Sequence, residues 1–469
     1  MFEAASFVTA ASPVAGRAVP PEADIEAIVP LQPATLRDTG LERPLVLALL
    51  AKTIARFGKA HLPVLGGKLR LSVSVLREAL ALMLADQLVE VARRGDSDID
   101  IEYQLTAAGH AFAAAALAEC RYVGPAPVTL DALREVIIRD ARRHASAANV
   151  GDAELAAALG DGGGDGIVDA VLRAQLGAAL QSGRAVLLYG ATGCGKTTVA
   201  RKLGRLLQGV VGVPYAVLID EQIVQFYDPL IHLAPAPAQG RLFDERRNDS
   251  RWLICQRPLL QVGSELTPPM LDCRFDAING IYYAPVQLQA SGGLLIVDDL
   301  GSQRCVAAAL LNRLAGPLEH GVDVLTLQGG RGETVPFTAK TVLTTSDAPH
   351  ALFDARSLRR IAYKIEIGAV AAASYLALLR RQCALKQVSY DEAAARYLLE
   401  HLHALSGRPL LVALPGELVA RIVDAASFAG RTAQLNTASL EQAWHSLFAA
   451  YPPRTVPAVR DHVLLGETS

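Results

Sequence analysis

The residues Gly190-Ala191-Thr192-Gly193-Cys194-Gly195-Lys196-Thr197 decide the fold. They fill every fixed position of G-x-x-x-x-G-K-[ST], the pattern of a phosphate-binding loop. An apolar run, residues 185–189, precedes them and reads as a strand; a helical stretch, residues 198–207, follows. Strand, glycine-rich turn and helix in that order is the context the pattern requires. Glycine lets successive backbone N–H groups close around an anion, and the helix N-terminus adds a partial positive charge. The loop from Gly190 to Thr198 is therefore expected to hold ATP. Lys196 would reach the β- and γ-phosphates, and the Thr197 hydroxyl would ligate Mg²⁺.

Outward from the loop, Gly292-Gly293-Leu294-Leu295-Ile296-Val297-Asp298-Asp299 has four apolar residues followed by two acids. A continuous apolar run suits a parallel strand buried on both faces, with its acids at the C-terminal end. Asp298 is expected to hold Mg²⁺, directly or through water, and Asp299 to orient the attacking water. A third strand, residues 340–345, ends in Ser346. Arg359-Arg360 follows, and then the alternating run Tyr363-Lys364-Ile365-Glu366-Ile367.

This layout resembles the AAA+ ATPases, over roughly residues 166–450. The resemblance implies that Ser346 is the polar sensor after the third strand. It also implies that Arg360, with Arg359 as its close rival, reaches the γ-phosphate of a neighbouring subunit. The run 322–327, Gly329-Gly330-Arg331-Gly332 and the run 333–337 read as a hairpin just before the sensor strand. Such a hairpin is similar to that of the MoxR-like branch. The interval between Lys196 and Asp298 leaves room for another insertion, expected around residues 252–270. The chain also resembles uncharacterised bacterial ATPases described as chaperone-like.

Two positions depart from the family pattern. Asp299 stands where many relatives have Glu, one methylene further from the water. Gly416, in Pro415-Gly416-Glu417-Leu418, stands where a lid arginine is usual; Arg408 and Arg421 are candidates to compensate.

A length of 469 residues suggests two or three domains. The formal net charge of −2 gives no global cationic excess that would demand nucleic acid. Six cysteines without a C-x-x-C pair read as reduced thiols of a cytoplasmic protein rather than a zinc site. Cys194 is an alternative oxidation-sensitive position. No stretch reaches the length of a membrane span.

The domains read as a flexible tail over 1–35, a winged-helix-like α+β domain over 36–120, and a linker with a helix over 121–165. An α/β P-loop domain, a parallel sheet flanked by helices, takes 166–368. A helical lid over 369–450 and a tail over 451–469 complete the chain. The N-terminal domain rests on helices at 43–57, near Pro63 and at 73–84, then strands at 88–92 and 99–105. Its third helix carries Arg77 against Glu78 and Asp86, and its wing tip pairs Arg93 and Arg94 with Asp96 and Asp98. Neither has the cationic excess that displaces counterions from phosphates, so a protein client is favoured over duplex DNA. In the lid, Ser389-Tyr390-Asp391-Glu392 reads as a capping box, and Leu440, Ala443, Trp444, Leu447 and Phe448 as core. Phe226 and Tyr227 are a candidate aromatic grip on a polypeptide.

These readings predict an ATPase ring, expected as a hexamer, that remodels a protein partner. The alternatives are a DNA-directed AAA+ protein using the winged helix, and an ATP-dependent assembly switch that hydrolyses slowly.

Overall fold

Short runs of aliphatic residues build the central sheet. Leu294–Val297 is buried at every position, and Val186–Tyr189 at its first three. Side chains on both pleat faces are covered there, which explains the unbroken apolar pattern. The computed structural model describes residues 9–10, 28–95, 100–147, 150–160, 168–235, 247–327 and 332–448. Among them, five strands run parallel in the order Leu259–Val262, Leu294–Val297, Lys340–Thr345, Val186–Tyr189, Tyr363–Glu366. Thr9–Ala10 pairs antiparallel beside Leu259–Val262. The flanking strand Tyr363–Glu366 alternates in burial, as a strand with one open side should.

The register sets the site. Val262 pairs with Val297, Val297 with Leu343, and Thr345 with Tyr189. The C-terminal ends of four strands therefore share one edge, and the Lys340–Thr345 strand lies between the strand that enters the loop and the strand that carries the acids. Ligands of open parallel sheets bind at such an edge.

One expectation needs correction. Residues 252–270 are not an insertion as a block, because Leu259–Val262 within them is a strand of the central sheet. The extra material is a separate layer. Trp252–Gln256 pairs antiparallel with Val210–Pro214. A second sheet runs Arg274–Asp276, Ile281–Tyr283, Gln222–Gln225, Ala216–Ile219, Val128–Thr129. Phe226 is 2% exposed in the core of this layer, and Tyr227 stacks on His232. Packing, not an open aromatic grip, accounts for both. Val322–Leu325 and Glu333–Pro336 form a hairpin tied near its turn by Arg134, through Thr334 O at 2.8 Å and Glu333 at 2.9 Å. Gly329, Gly330 and Arg331 lie outside the described residues.

The N-terminal segment folds as helices Arg43–Phe57, Leu62–Leu69, Val73–Ala85 and Ala107–Glu119 around one apolar core. Ser72 and Thr106 cap two of them, accepting from Val75 N and Gly109 N. Its sheet has three strands, Lys59–His61, Ile101–Leu105 and Val89–Arg94. Lys59-Ala60-His61 lacks an apolar run, so only its pairing with Glu102–Gln104 marks it as a strand. Asp96 and Asp98 of the expected wing tip lie outside the described residues. Ile28 and Val29, within the stretch read as tail, are buried.

This segment is bolted to the second layer by Arg251. Its guanidinium donates to Asp249 Oδ2 at 2.8 Å, to Thr39 O at 3.1 Å and to Pro127 O at 3.0 Å. The side chains of Arg251 and Asp249 are 5% and 2% exposed. Ala126 N donates to Leu69 O and Ser250 Oγ to Arg70 O across the same seam.

The chain divides into two compact units. The first is Met1–Ala158 with Ala170–Gly190 and Lys196–Glu366; the second is Leu159–Asp169 with Ala191–Gly195 and Ile367–Ser469. The second has helices Ala372–Leu385, Glu392–Tyr397, Ala413–Phe428 and Thr437–Phe448. Tyr375, Leu379, Leu418, Val419, Leu440 and Trp444 form its core. The expected capping box is absent: Asp391 is the cap and accepts from Ala393 N. A π-helical turn, Leu398–His403, sets His403 against Tyr375 OH at 2.9 Å and Arg408 O at 3.1 Å.

Two buried histidines and a half-buried one make the fold acid-sensitive. Burial pushes His232, His403 and His144 below the usual imidazole range, His144 to about 4 with help from Arg257 and Lys340. His232 Nδ1 accepts from Asp228 N at 3.0 Å, so its proton sits on Nε2 and faces Gln289 O. A second proton would break the first of these bonds. The folded values lie below the unfolded one, so the unfolded chain binds more protons in this window and stability rises with pH. The thermal midpoint is expected to fall as pH drops from about 6.5 toward about 4. Scanning calorimetry at pH 7 and pH 5 checks this, and an unchanged or higher midpoint at pH 5 contradicts it.

Candidate nucleotide-binding site

The loop begins where Val186–Tyr189 ends and runs to the start of the helix Lys196–Arg205. Gly193 and Gly195 have φ of +87° and +97°, which a side chain would strain. Cys194 N donates to Ala191 O at 3.2 Å, and Gly193 O accepts from Ala413 N at 3.0 Å within the second unit. Ala191, Thr192 and Thr198 are exposed, whereas Cys194 is fully buried. Burial of that thiol removes the access an oxidation sensor needs.

Lys196 is 7% exposed, and its ammonium donates to Gly190 O at 2.8 Å and Ser346 Oγ at 3.2 Å. The structure thus brings Ser346, 150 residues away in sequence, to the loop lysine. Thr197 donates its hydroxyl proton to Asp298 Oδ1 at 2.8 Å. That bond leaves the hydroxyl lone pairs available, beside a carboxylate. Hard oxygen donors of this kind fit Mg²⁺.

Three residues that sequence reasoning missed hold the acids. Thr344 Oγ1 donates to Asp298 Oδ1 at 2.6 Å and accepts from Asp299 N at 2.9 Å. Gln261 donates to Asp298 Oδ2 at 2.8 Å and accepts from Arg201 at 2.6 Å. Gln303 donates to the carbonyl oxygens of Asp298 and Asp299 at 3.1 and 3.2 Å. Thr344 reads as an ordinary strand former, and Gln303 as a loop amide. Gln261 carries the one usable signal, a polar residue inside the apolar run Leu259-Leu260-Gln261-Val262. Asp298 is half-buried, while Asp299 is exposed with φ of +52°, a left-handed conformation uncommon outside glycine.

The arginines end the helix Ala355–Arg360. Arg360 donates to Glu319 Oε1 and Asn312 Oδ1, each at 2.7 Å. Arg359 is exposed. In the second unit Gly416 packs near Gln382, Arg408 lies over the Phe448 ring at 3.7 Å, and Arg421 bonds Glu417 O.

A family described as "Domain of unknown function (DUF8689)" matches residues 371–446. No curated protein matches the chain. Solved structures similar to it include the RuvB Holliday junction branch migration motor of Thermotoga maritima, at 15% identity and a TM-score of 0.34, covering 59% of this chain and 67% of that one. NtrX from Brucella abortus is similar at 14% identity and a TM-score of 0.39, covering 70% of this chain and 63% of that one. NtrX in complex with ADP is similar at 13% identity and a TM-score of 0.37, covering 70% and 62%. The chain thus spans less than two thirds of the NtrX chains it matches. Among the described residues, no helix is long and apolar enough to cross a membrane.

Proposed function

We propose that this chain is an AAA+ ATPase of the MoxR-like, chaperone-like branch, which assembles as a ring and uses ATP hydrolysis to remodel a protein partner. The observation that carries the reading is the Thr197–Asp298 hydrogen bond, which joins the phosphate loop to the acid strand across the intervening Lys340–Thr345 strand. Lys196 neutralises charge developing on the γ-phosphate, helped by loop N–H groups. Thr197 and Asp298 would hold Mg²⁺, which would supply further neutralisation on the phosphate oxygens. Asp299, exposed at the strand end, orients the attacking water. Ser346 stands beside Lys196 and is placed to register the phosphate.

An arginine from a neighbouring protomer completes the site. Arg359 is the exposed member of the pair, whereas Arg360 is committed to Glu319 and Asn312. Fingers of this kind contribute about 10³–10⁵ in rate. Asp299→Asn and Arg359→Ala are each expected to be nearly inactive alone. Mixed together they are expected to recover phosphate release, because a protomer with an intact water-orienting acid can borrow a neighbour's arginine. Sedimentation with ATP reports the ring. A chain that stays monomeric and shows no recovery on mixing contradicts the ring. DNA binding measured across a salt series separates the DNA-directed alternative, which requires a steep slope.

A further inference from the structure

We propose that Gln303 is a positioning residue that holds Asp299 in its left-handed conformation and so sets the attacking water. The proposal rests on the ATPase reading above. A residue continuing the strand after Asp298 would take extended backbone and send its side chain to the opposite face of the sheet. Asp299 instead has φ of +52°, which costs a non-glycine residue free energy unless its surroundings impose it.

A buried amide is the part of those surroundings that reaches both acidic residues at once. Gln303 is 8% exposed, and its Nε2 donates to Gly263 O at 3.2 Å, Asp298 O at 3.1 Å and Asp299 O at 3.2 Å. Its Oε1 accepts from Gly301 N at 3.0 Å. One side chain thus joins the end of the neighbouring strand, both acidic residues and the turn that follows them. Two consecutive carbonyls meet a single donor group only while the backbone at Asp299 keeps its turned shape. Asp299 has other bonds, its N–H donating to Thr344 Oγ1 and its carbonyl accepting from Ser302 N and Oγ, but none of these ties it to Asp298 O and Gly263 O as Gln303 does. Gln303 has no bond to Lys196, Thr197 or the Asp298 carboxylate among the described hydrogen bonds. Its effect should therefore fall on turnover and not on nucleotide affinity.

The test uses the full chain with Gln303→Met and Gln303→Glu. Met keeps the length and loses every bond. Glu keeps an acceptor for Gly301 N but sets a carboxylate against three carbonyls. In both, kcat is expected to fall about tenfold or more while Kd for a fluorescent ATP analogue stays within about twofold. Amide exchange in the 298–303 peptide is expected to rise in Gln303→Glu, where the acceptor of Gly301 N is retained. Unchanged kcat, or parallel losses of kcat and affinity, overturns the proposal. A wild-type chain without Lys196-dependent phosphate release sinks the ATPase reading instead. In that case unchanged exchange in Gln303→Glu still refutes the hold on the turn, and raised exchange supports it.

Discussion

Replacing Lys196 by Ala is expected to lower ATP hydrolysis by about 10²–10³-fold, the scale seen when one preorganised charge-stabilising donor is removed. The ammonium is nearly buried and is held between Gly190 O and Ser346 Oγ. A buried cation so held needs little reorganisation when the γ-phosphate gathers charge. Alanine leaves no cation in its place. The neighbouring acids Asp298 and Asp299 then face the triphosphate with less compensation, so affinity for nucleotide should fall as well. Phosphate release and binding of a fluorescent ATP analogue, measured on both proteins, check the expectation. A variant that keeps more than about a tenth of the wild-type rate would mean that Lys196 does not serve the chemistry.

The second large effect concerns stability. Arg251→Ala is expected to cost about 3–5 kcal/mol, because it leaves the Asp249 carboxylate buried without its cation. The same change orphans Thr39 O and Pro127 O, which join the N-terminal domain to the second layer. The transition is best followed by urea in a Trp444→Phe background. Trp252, adjacent to Arg251 and 6% exposed, is then the sole indole reporter. Arg380→Ala is the contrast, since the Arg380–Glu392 pair is 65% and 59% exposed and should matter by less than about 1 kcal/mol. If both substitutions shift the midpoint equally, the Arg251 seam is not what holds the domain.

Legibility in the sequence followed the range of the interactions. The phosphate loop is local: its glycines, lysine and threonine act through a backbone shape that eight consecutive residues specify. The acid strand was legible because burial on both faces forces an unbroken apolar run. The Leu259–Val262 strand was not, because Gln261 interrupts its apolar pattern to bond Asp298. The strand Lys59–His61 was equally silent, being defined by its partner across the sheet.

The sequence by itself determined that a loop of the G-x-x-x-x-G-K-[ST] pattern and an acid-tipped strand occur in one chain, with helices before and after. Only the tertiary structure decided which side chains meet. The register of parallel strands set Thr344 and Gln261 on Asp298 and brought Ser346 to Lys196, while the packing of two helices committed Arg360 to Glu319. The physical reason is that helix and loop motifs are written by neighbours along the chain. Hydrogen bonds between residues 37–150 positions apart exist only once the sheet has fixed its order.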